Sequence, residues 1–318
     1  MSNSVPVLLI SYSRPRGLEK LLLICQKNLV SRIYIAIDGP RNSRDIENQI
    51  EIKKVIDTFI LRHPEISVQT WFRESNLGVG VSVISALDWF FENEPVGHVL
   101  EDDLEPTDSF FSFSREALEK FESDSRVWMI SGTQILSHLD SVEYSRESHY
   151  PMIWGWSSWR DSWFQMRHSL LSEKRYRYFG RGVCENNYWA VGGKRVLDGQ
   201  VDTWDTALAG EFQINRKVCL IPPLNLVANL GNDDVAAHTS ADESTVFVRG
   251  HEFSDHLALD EALNSKIDCR YDQELRDKIF QVKAKHYFLP IMYKFQRISL
   301  LKSKDVSLSS RLAKVRVP

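Results

Sequence analysis

Three adjacent carboxylates, Glu101, Asp102 and Asp103, follow directly on the apolar pair Val99-Leu100. Acids this close at the end of a buried strand repel one another and raise each other's pKa unless a cation sits among them. A hard divalent ion with carboxylate ligands suits them, and such ions are commonly shared with substrate phosphates. The plainer reading is an acidic loop capping a helix. A second cluster, Trp71-Phe-Arg73-Glu-Ser-Asn76-Leu77-Gly78-Val79-Gly80, leads from a strand through a glycine-bearing loop into a helix. Helix N-termini and arginine both hold anions, although Asn76 and Gly78 would equally supply positive φ to a simple turn. In a third cluster, Trp156, Trp159 and Trp163 recur at three and four, one face of a helix and more often core than site. The Trp154-Gly155 step before them differs: the glycine lets a ligand approach the backbone, and an indole offers a face to a sugar. Asp202-Thr203-Trp204-Asp205 sets a carboxylate beside a bulky aromatic, as for a general base in a partly dry pocket, or as a helix N-cap. His238 stands alone, and a lone histidine is usually structural or exposed.

These residues need elements to hold them. Residues 5–10 form a nearly continuous apolar run, the pattern of a buried parallel strand. Strands are expected again at 32–38, 67–72 and 97–100, with helices at 17–29, 45–63 and 79–92 between them. This β-α alternation predicts an α/β fold with an open, mostly parallel sheet flanked by helices. In such sheets ligands sit beyond the carboxyl ends of the strands, where Arg14, Asp38 and the acidic cluster all fall. Beyond residue 110 the alternation blurs into a helix at 112–122, a strand at 127–130, an aromatic-rich stretch and a short strand at 218–222.

Bulk composition narrows the function. Of the 318 residues, 43% are hydrophobic and 26% charged, an ordinary globular balance. The net charge of −4 argues against nucleic acid as a partner. That average hides an asymmetry, because residues 278–318 carry ten Lys/Arg against the single acid Asp305, leaving −13 for the rest. Cys25, Cys184, Cys219 and Cys269 form no CxxC pair and suggest neither zinc nor an oxidising compartment. With no signal-peptide pattern and no apolar run of about 18 residues, the expected location is the cytoplasm, at the inner face of the membrane if the tail binds there.

In order and spacing, Ser11-Tyr-Ser-Arg14-Pro15, Asp38-Gly39, Arg73 with Asn76-Leu77-Gly78, and Glu101-Asp102-Asp103-Leu104 resemble inverting glycosyltransferases of the GT-A fold, over roughly residues 5–240. The acidic motif is similar to that of the N-acetylglucosaminyltransferase I group. The Trp-Gly-Trp and Trp-Asp elements resemble bacterial surface-polysaccharide glycosyltransferases. The resemblance implies a GT-A (Rossmann-like) catalytic domain over 1–245, with a nucleotide-binding half at 1–110 and an acceptor half at 111–245. A helical, basic extension would follow over 246–318. It further implies a nucleoside-diphosphate sugar donor, most often UDP, a glycan or lipid-linked glycan acceptor in O-antigen- or capsule-like synthesis, and Mn²⁺ or Mg²⁺. Ser11, Arg14 and Asp38 would hold the nucleoside, with Asn76 beside them. Arg73 would sit near the base or diphosphate. Asp102 would face the ribose or sugar, Glu101 would join the donor-binding residues, and Asp103 and His238 would bind the metal. Gly155 and Trp156 would flank the donor sugar, and Asp205 would be the catalytic base. Val79-Gly80 departs from the pattern, since a basic residue often follows the glycine. Two other classes compete: a non-catalytic carbohydrate- or nucleotide-binding protein, and a nucleotidyltransferase making nucleotide sugars. The latter usually carries a Gly-rich basic loop after the first strand, whereas residues 11–17 hold one glycine.

The tail poses its own question. From Phe288 onward apolar positions recur at three and four among lysines and arginines, through Ile291, Met292, Phe295, Ile298 and Leu301. Such a stripe packs on its own domain or lies on an anionic membrane.

Overall fold

The computed structural model describes residues 4–136, 144–172, 182–231, 262–300 and 307–318. Among the described residues nine strands form one sheet, in the spatial order 265–267, 145–148, 218–221, 127–131, 156–159, 96–101, 7–11, 32–37 and 67–72. Its first half is β1 (Val7–Ser11), α1 (Pro15–Lys27), β2 (Arg32–Ile37), α2 (Ser43–Arg62), β3 (Ser67–Phe72), α3 (Val79–Asn93) and β4 (Val96–Glu101). β1 lies between β2 and β4 and is parallel to both. The chain therefore leaves β1 in both directions along the sheet, which opens a crevice at the carboxyl ends of β1 and β4.

Local sequence explains these elements. Every residue of β1 is buried, as a central parallel strand requires. α1 starts with Pro15 in its first turn and buries Leu18, Leu21, Leu22 and Cys25 on one face. α3 buries twelve of its residues, Gly80 through Phe91, because it is covered on all sides. Two cores result. α1, α2 and α4 (Asp108–Phe121) close one face of the sheet; α3, α5 (Arg160–Leu171), α6 (Val183–Leu197) and α7 (Asp205–Ile214) close the other.

The second half runs β5 (Leu104–Pro106), α4, β6 (Val127–Ser131), β7 (Ser145–Ser148), β8 (Trp156–Trp159), α5, α6, α7, β9 (Val218–Ile221) and β10 (Val227–Asn229). β5 and β10 form a separate antiparallel pair beside the crevice. The expected tryptophan helix is corrected here: Trp156–Trp159 is a strand, antiparallel to both β4 and β6, and the helix begins at Arg160. Alternation across the strand sends Trp156 to one core and Trp159 to the other. The serines between them are satisfied in place. Ser157 Oγ lies 2.7 Å from His98 Nδ1, and Ser158 Oγ donates to the Trp128 carbonyl at 2.7 Å.

The last described segments comprise β11 (Ser265–Ile267), α8 (Cys269–Glu274), α9 (Leu289–Leu300) and α10 (Leu308–Leu312). Beyond its helices, this region supplies an edge strand, β11 pairing parallel with β7. α9 packs on α6, and α10 packs on α3.

Candidate functional site

Loops at the ends of β1, β2, β3 and β4, together with the segment before α7, enclose a cleft of about 320 Å³. At the end of β1, Ser11 Oγ and the Tyr12 amide donate to Asp102 Oδ2 at 2.7 and 3.0 Å. Arg14 Nη1 reaches Asp103 Oδ2 at 2.9 Å and Asp102 Oδ1 at 3.3 Å. The start of α1 crosses this strand end so closely that a Cβ on Gly17 would stand 1.9 Å from the Asp102 carbonyl oxygen. Asp102 is thus the knot tying the β1 loop to β4. Burial raises its pKa, while the Tyr12 amide and Ser11 hydroxyl pull it back.

Asp38, at the end of β2, plays a similar part for the next loop. Its carboxylate accepts from the amides of Gly39 and Leu77, both at 2.9 Å, from the Gly78 amide at 3.2 Å, and from Asn76 Nδ2 at 3.0 Å. Asp38 and Asn76 therefore fix the β3–α3 loop along the cleft wall. Arg73 is placed differently from the sequence expectation. It is buried beneath α3, where Nη2 donates to Ser85 Oγ at 2.8 Å and the Ser82 carbonyl at 3.0 Å, and it stacks on Trp71. It does not line the cleft. Burial lowers its pKa to about 10, against the opposing charge of Asp38.

The amides at the N-terminus of α3, offered as an anion site by the sequence, meet the chain's own carboxylate. Asp202 accepts from Val79 N at 3.0 Å and Gly80 N at 3.1 Å. Gly78 makes this approach possible, with φ +75 and a Cβ position only 2.1 Å from Asp202 Oδ2. Three residues on, Asp205 opens α7. Its Oδ1 accepts from Thr203 Oγ1 and the Thr206 amide, while Oδ2 has no partner among the described residues.

Gly155 has φ +66, and a Cβ there would meet the Val227 side chain at 2.8 Å, so its freedom serves packing. Trp156 is 1% exposed, its ring 6.0 Å from that of Trp204, and it is absent from the cleft wall. The indole on that wall is Trp154. The resemblance put Trp156 beside the sugar, whereas Trp156 packs in the core as its stripe suggested; the indole of the Trp154-Gly155 step is the one that reaches the cleft. His238 lies outside the described residues.

Sequence reasoning passed over Tyr12 and Arg41, which line one end of the cleft. Arg41 Nε donates to the Tyr12 hydroxyl at 2.6 Å, the Tyr12 hydroxyl donates to Asp45, and the guanidinium lies 4.7 Å from the Tyr12 ring centroid. Their only signal was position, in the loops after β1 and β2. Asn229 and Gly231 were likewise unmarked. They reach the cleft because the Leu230 amide donates to the Asp103 carbonyl at 2.8 Å.

No protein-family model matches the chain, and no curated protein matches it. Among solved structures it is similar to a UDP-glucose pyrophosphorylase complexed with UDP-glucose. That pair has 9% identity and a TM-score of 0.39, covering 69% of this chain and 90% of that one. It is also similar to HddC from Yersinia pseudotuberculosis, with 12% identity and a TM-score of 0.25, covering 45% of this chain and 59% of that one. The assignment of activity rests on the cleft itself.

The cleft's charge favours a cation. Glu101 lies deep within it, and neither of its oxygens has a hydrogen-bond partner among the described residues. Its pKa is pushed up to about 8 by burial and by Asp103, Asp102 and Asp205, with Arg14 opposing. Around Glu101, four carboxylates including its own thus meet the single guanidinium of Arg14, while Arg41 stands with Tyr12 at one end of the cleft. Among the described residues no ready-made cluster of three or more His, Cys, Asp or Glu could hold a metal. The all-oxygen donor set of Glu101 and Asp103 fits a hard cation that keeps most of its shell for water and substrate phosphates.

Proposed function

We propose that the chain is a divalent-cation-dependent glycosyltransferase that moves a sugar from a nucleoside diphosphate to a glycan hydroxyl with inversion. One observation carries the reading: a carboxylate cluster short of positive charge at Glu101–Asp103 shares a cleft with a separate carboxylate, Asp205, whose Oδ2 is open. Glu101 and Asp103 would hold Mn²⁺ or Mg²⁺, which neutralises charge on the departing diphosphate. Asp205 Oδ2 takes the proton of the acceptor hydroxyl as its oxygen attacks the anomeric carbon. The bond from that carbon to the diphosphate oxygen breaks on the opposite face, and a single displacement inverts the centre. Trp154 offers a stacking face to a sugar, and Tyr12 with Arg41 flanks the nucleoside end.

UDP is the first donor to try, and a bacterial surface-polysaccharide acceptor the first acceptor, both on the family resemblance. The nucleotidyltransferase alternative calls for a loop after β1 that cradles triphosphate. Here that loop engages its own acids through Arg14. A panel of UDP-, GDP-, CDP- and dTDP-sugars with Mn²⁺ tests the proposal. The expected result is release of one nucleoside diphosphate, accelerated by acceptor and abolished by EDTA. Pyrophosphate release from a nucleoside triphosphate and a sugar 1-phosphate, without transfer, would overturn it. Donor binding with no turnover on any acceptor would leave a binding protein.

A further inference from the structure

The segment after the sheet ends in a 3₁₀ turn, Ala284–Phe288, that runs into α9. One side of this unit is committed to the domain. Tyr293 is buried and its hydroxyl lies 2.6 Å from Asp198 Oδ2, the His286 ring packs 5.0 Å from the Tyr188 ring, and the Asn187 amide donates to the Tyr287 carbonyl at 2.9 Å. The other side carries four large apolar side chains in the open. Tyr287, Phe288, Ile291 and Met292 are 54–57% exposed, at positions one and four apart that share a helical face. Single exposed apolar residues need no explanation, but a contiguous group does. Lys283, Lys285 and Lys294 stand exposed around them, and the sequence holds no acid from Lys278 to Lys304.

We infer that this face docks on an anionic lipid surface. The four apolar side chains enter the boundary between headgroups and acyl chains, and the lysines meet the lipid phosphates. The rim selects the occupant. A second copy docking through the same patch would set lysine against lysine, because a two-fold contact repeats one surface on both sides. A neutral bilayer would take the apolar side chains but give the lysines no counter-charge. The contact is peripheral, since no helix among the described residues is long and apolar enough to cross a membrane. Its place also bears on the cleft. The Tyr188 ring touches His286 on one side and feels the Asp205 charge on the other, so the docking face lies one helix from the candidate base. An acceptor carried on lipid would meet the cleft at that side; the docking itself does not depend on the proposed activity.

Co-sedimentation of the full-length protein with vesicles tests the inference. Binding is expected to phosphatidylcholine–phosphatidylglycerol vesicles at low salt, with release at high salt and little binding to phosphatidylcholine alone. Phe288→Ser with Met292→Ser should weaken partitioning about tenfold or more, because apolar surface that entered the headgroup boundary is removed. Lys283→Gln, Lys285→Gln and Lys294→Gln together should weaken it by about 10²-fold, at about 1 kcal/mol per lysine. Melting temperature should stay unchanged in both variants, which separates lost docking from lost folding. Three results would overturn the inference: equal binding to neutral and anionic vesicles, no binding by the folded protein, or a dimer in ultracentrifugation that the apolar variant converts to monomer.

Discussion

Five aspartates and one glutamate reach the cleft, and their hydrogen bonds divide them. Asp38, Asp102 and Asp202 accept backbone amides and hold loops in place, whereas Glu101 and Asp205 Oδ2 have no hydrogen-bond partner among the described residues. Asp205→Asn should therefore keep donor affinity and lower turnover by about 10²-fold or more, the usual scale for losing a general base. A change in affinity alone would return Asp205 to a structural role. Asp38→Ala should act through stability, because it unpairs several loop amides; a loss of about 2–4 kcal/mol in denaturant unfolding is expected. The cysteines divide in the same way. Burial pushes the Cys25 and Cys219 thiols up to about 12, while Cys269 is exposed. Under native conditions alkylation should label Cys269 and spare Cys25 and Cys219, with mass spectrometry of peptides as the readout. Residue types alone could mark the acids but not sort them, since which carboxylate is satisfied depends on amides brought from other loops.

At the scale of elements, the segment before α7 is wired to both halves of the cleft. Asp202 caps α3, and Arg311 of α10 donates to the Leu77 carbonyl and lies 3.7 Å from Asp202 Oδ1, with Leu308 and Leu312 buried beneath it. Arg311→Ala should raise the donor KM severalfold and lower the melting temperature by about 1–2 °C, the effect of roughly 1 kcal/mol in a chain of this size. Arg311→Lys should restore part of both. Unchanged KM would make the contact ornamental. β1, β2 and β4 were readable as largely buried runs, β3 from its place in the alternation although none of its residues is buried at the sheet edge, and each helix before α3 from a one-sided apolar stripe. β8 was misread because tryptophans at three and four fit a helix as well as a strand that feeds two cores. β7, Ser-Arg-Glu-Ser, carries no apolar signal at all. It is buried nonetheless, since Arg146 meets Asp268, Glu147 meets Arg126 and Ser265, and Ser148 meets Asp272, partners no local pattern announces.

At the scale of the molecule, the fold carries a titration that composition conceals. His98 in β4 is fully enclosed by Phe110, Phe111 and Ser157, and desolvation, aided by Arg115, lowers its pKa to about 3. The unfolded chain would take up this proton near pH 6.5, so between about 6.5 and 3 it binds a proton that the folded chain refuses. Stability should fall as pH drops through that window, by at most about 1.4 kcal/mol per unit from this group. Denaturant unfolding of His98→Asn should show a shallower acid slope than wild type, and identical slopes would remove His98 as the cause. The central claim is that the cleft separates cation-assisted donor binding at Asp103 from base chemistry at Asp205. Titration calorimetry of the accepted donor with Mn²⁺, run on Asp103→Ala and Asp205→Asn side by side, tests it most directly. Asp103→Ala should lose the Mn²⁺-dependent part of binding while Asp205→Asn binds as wild type does. Equal, Mn²⁺-dependent binding by both variants, or loss only in Asp205→Asn, would contradict the account.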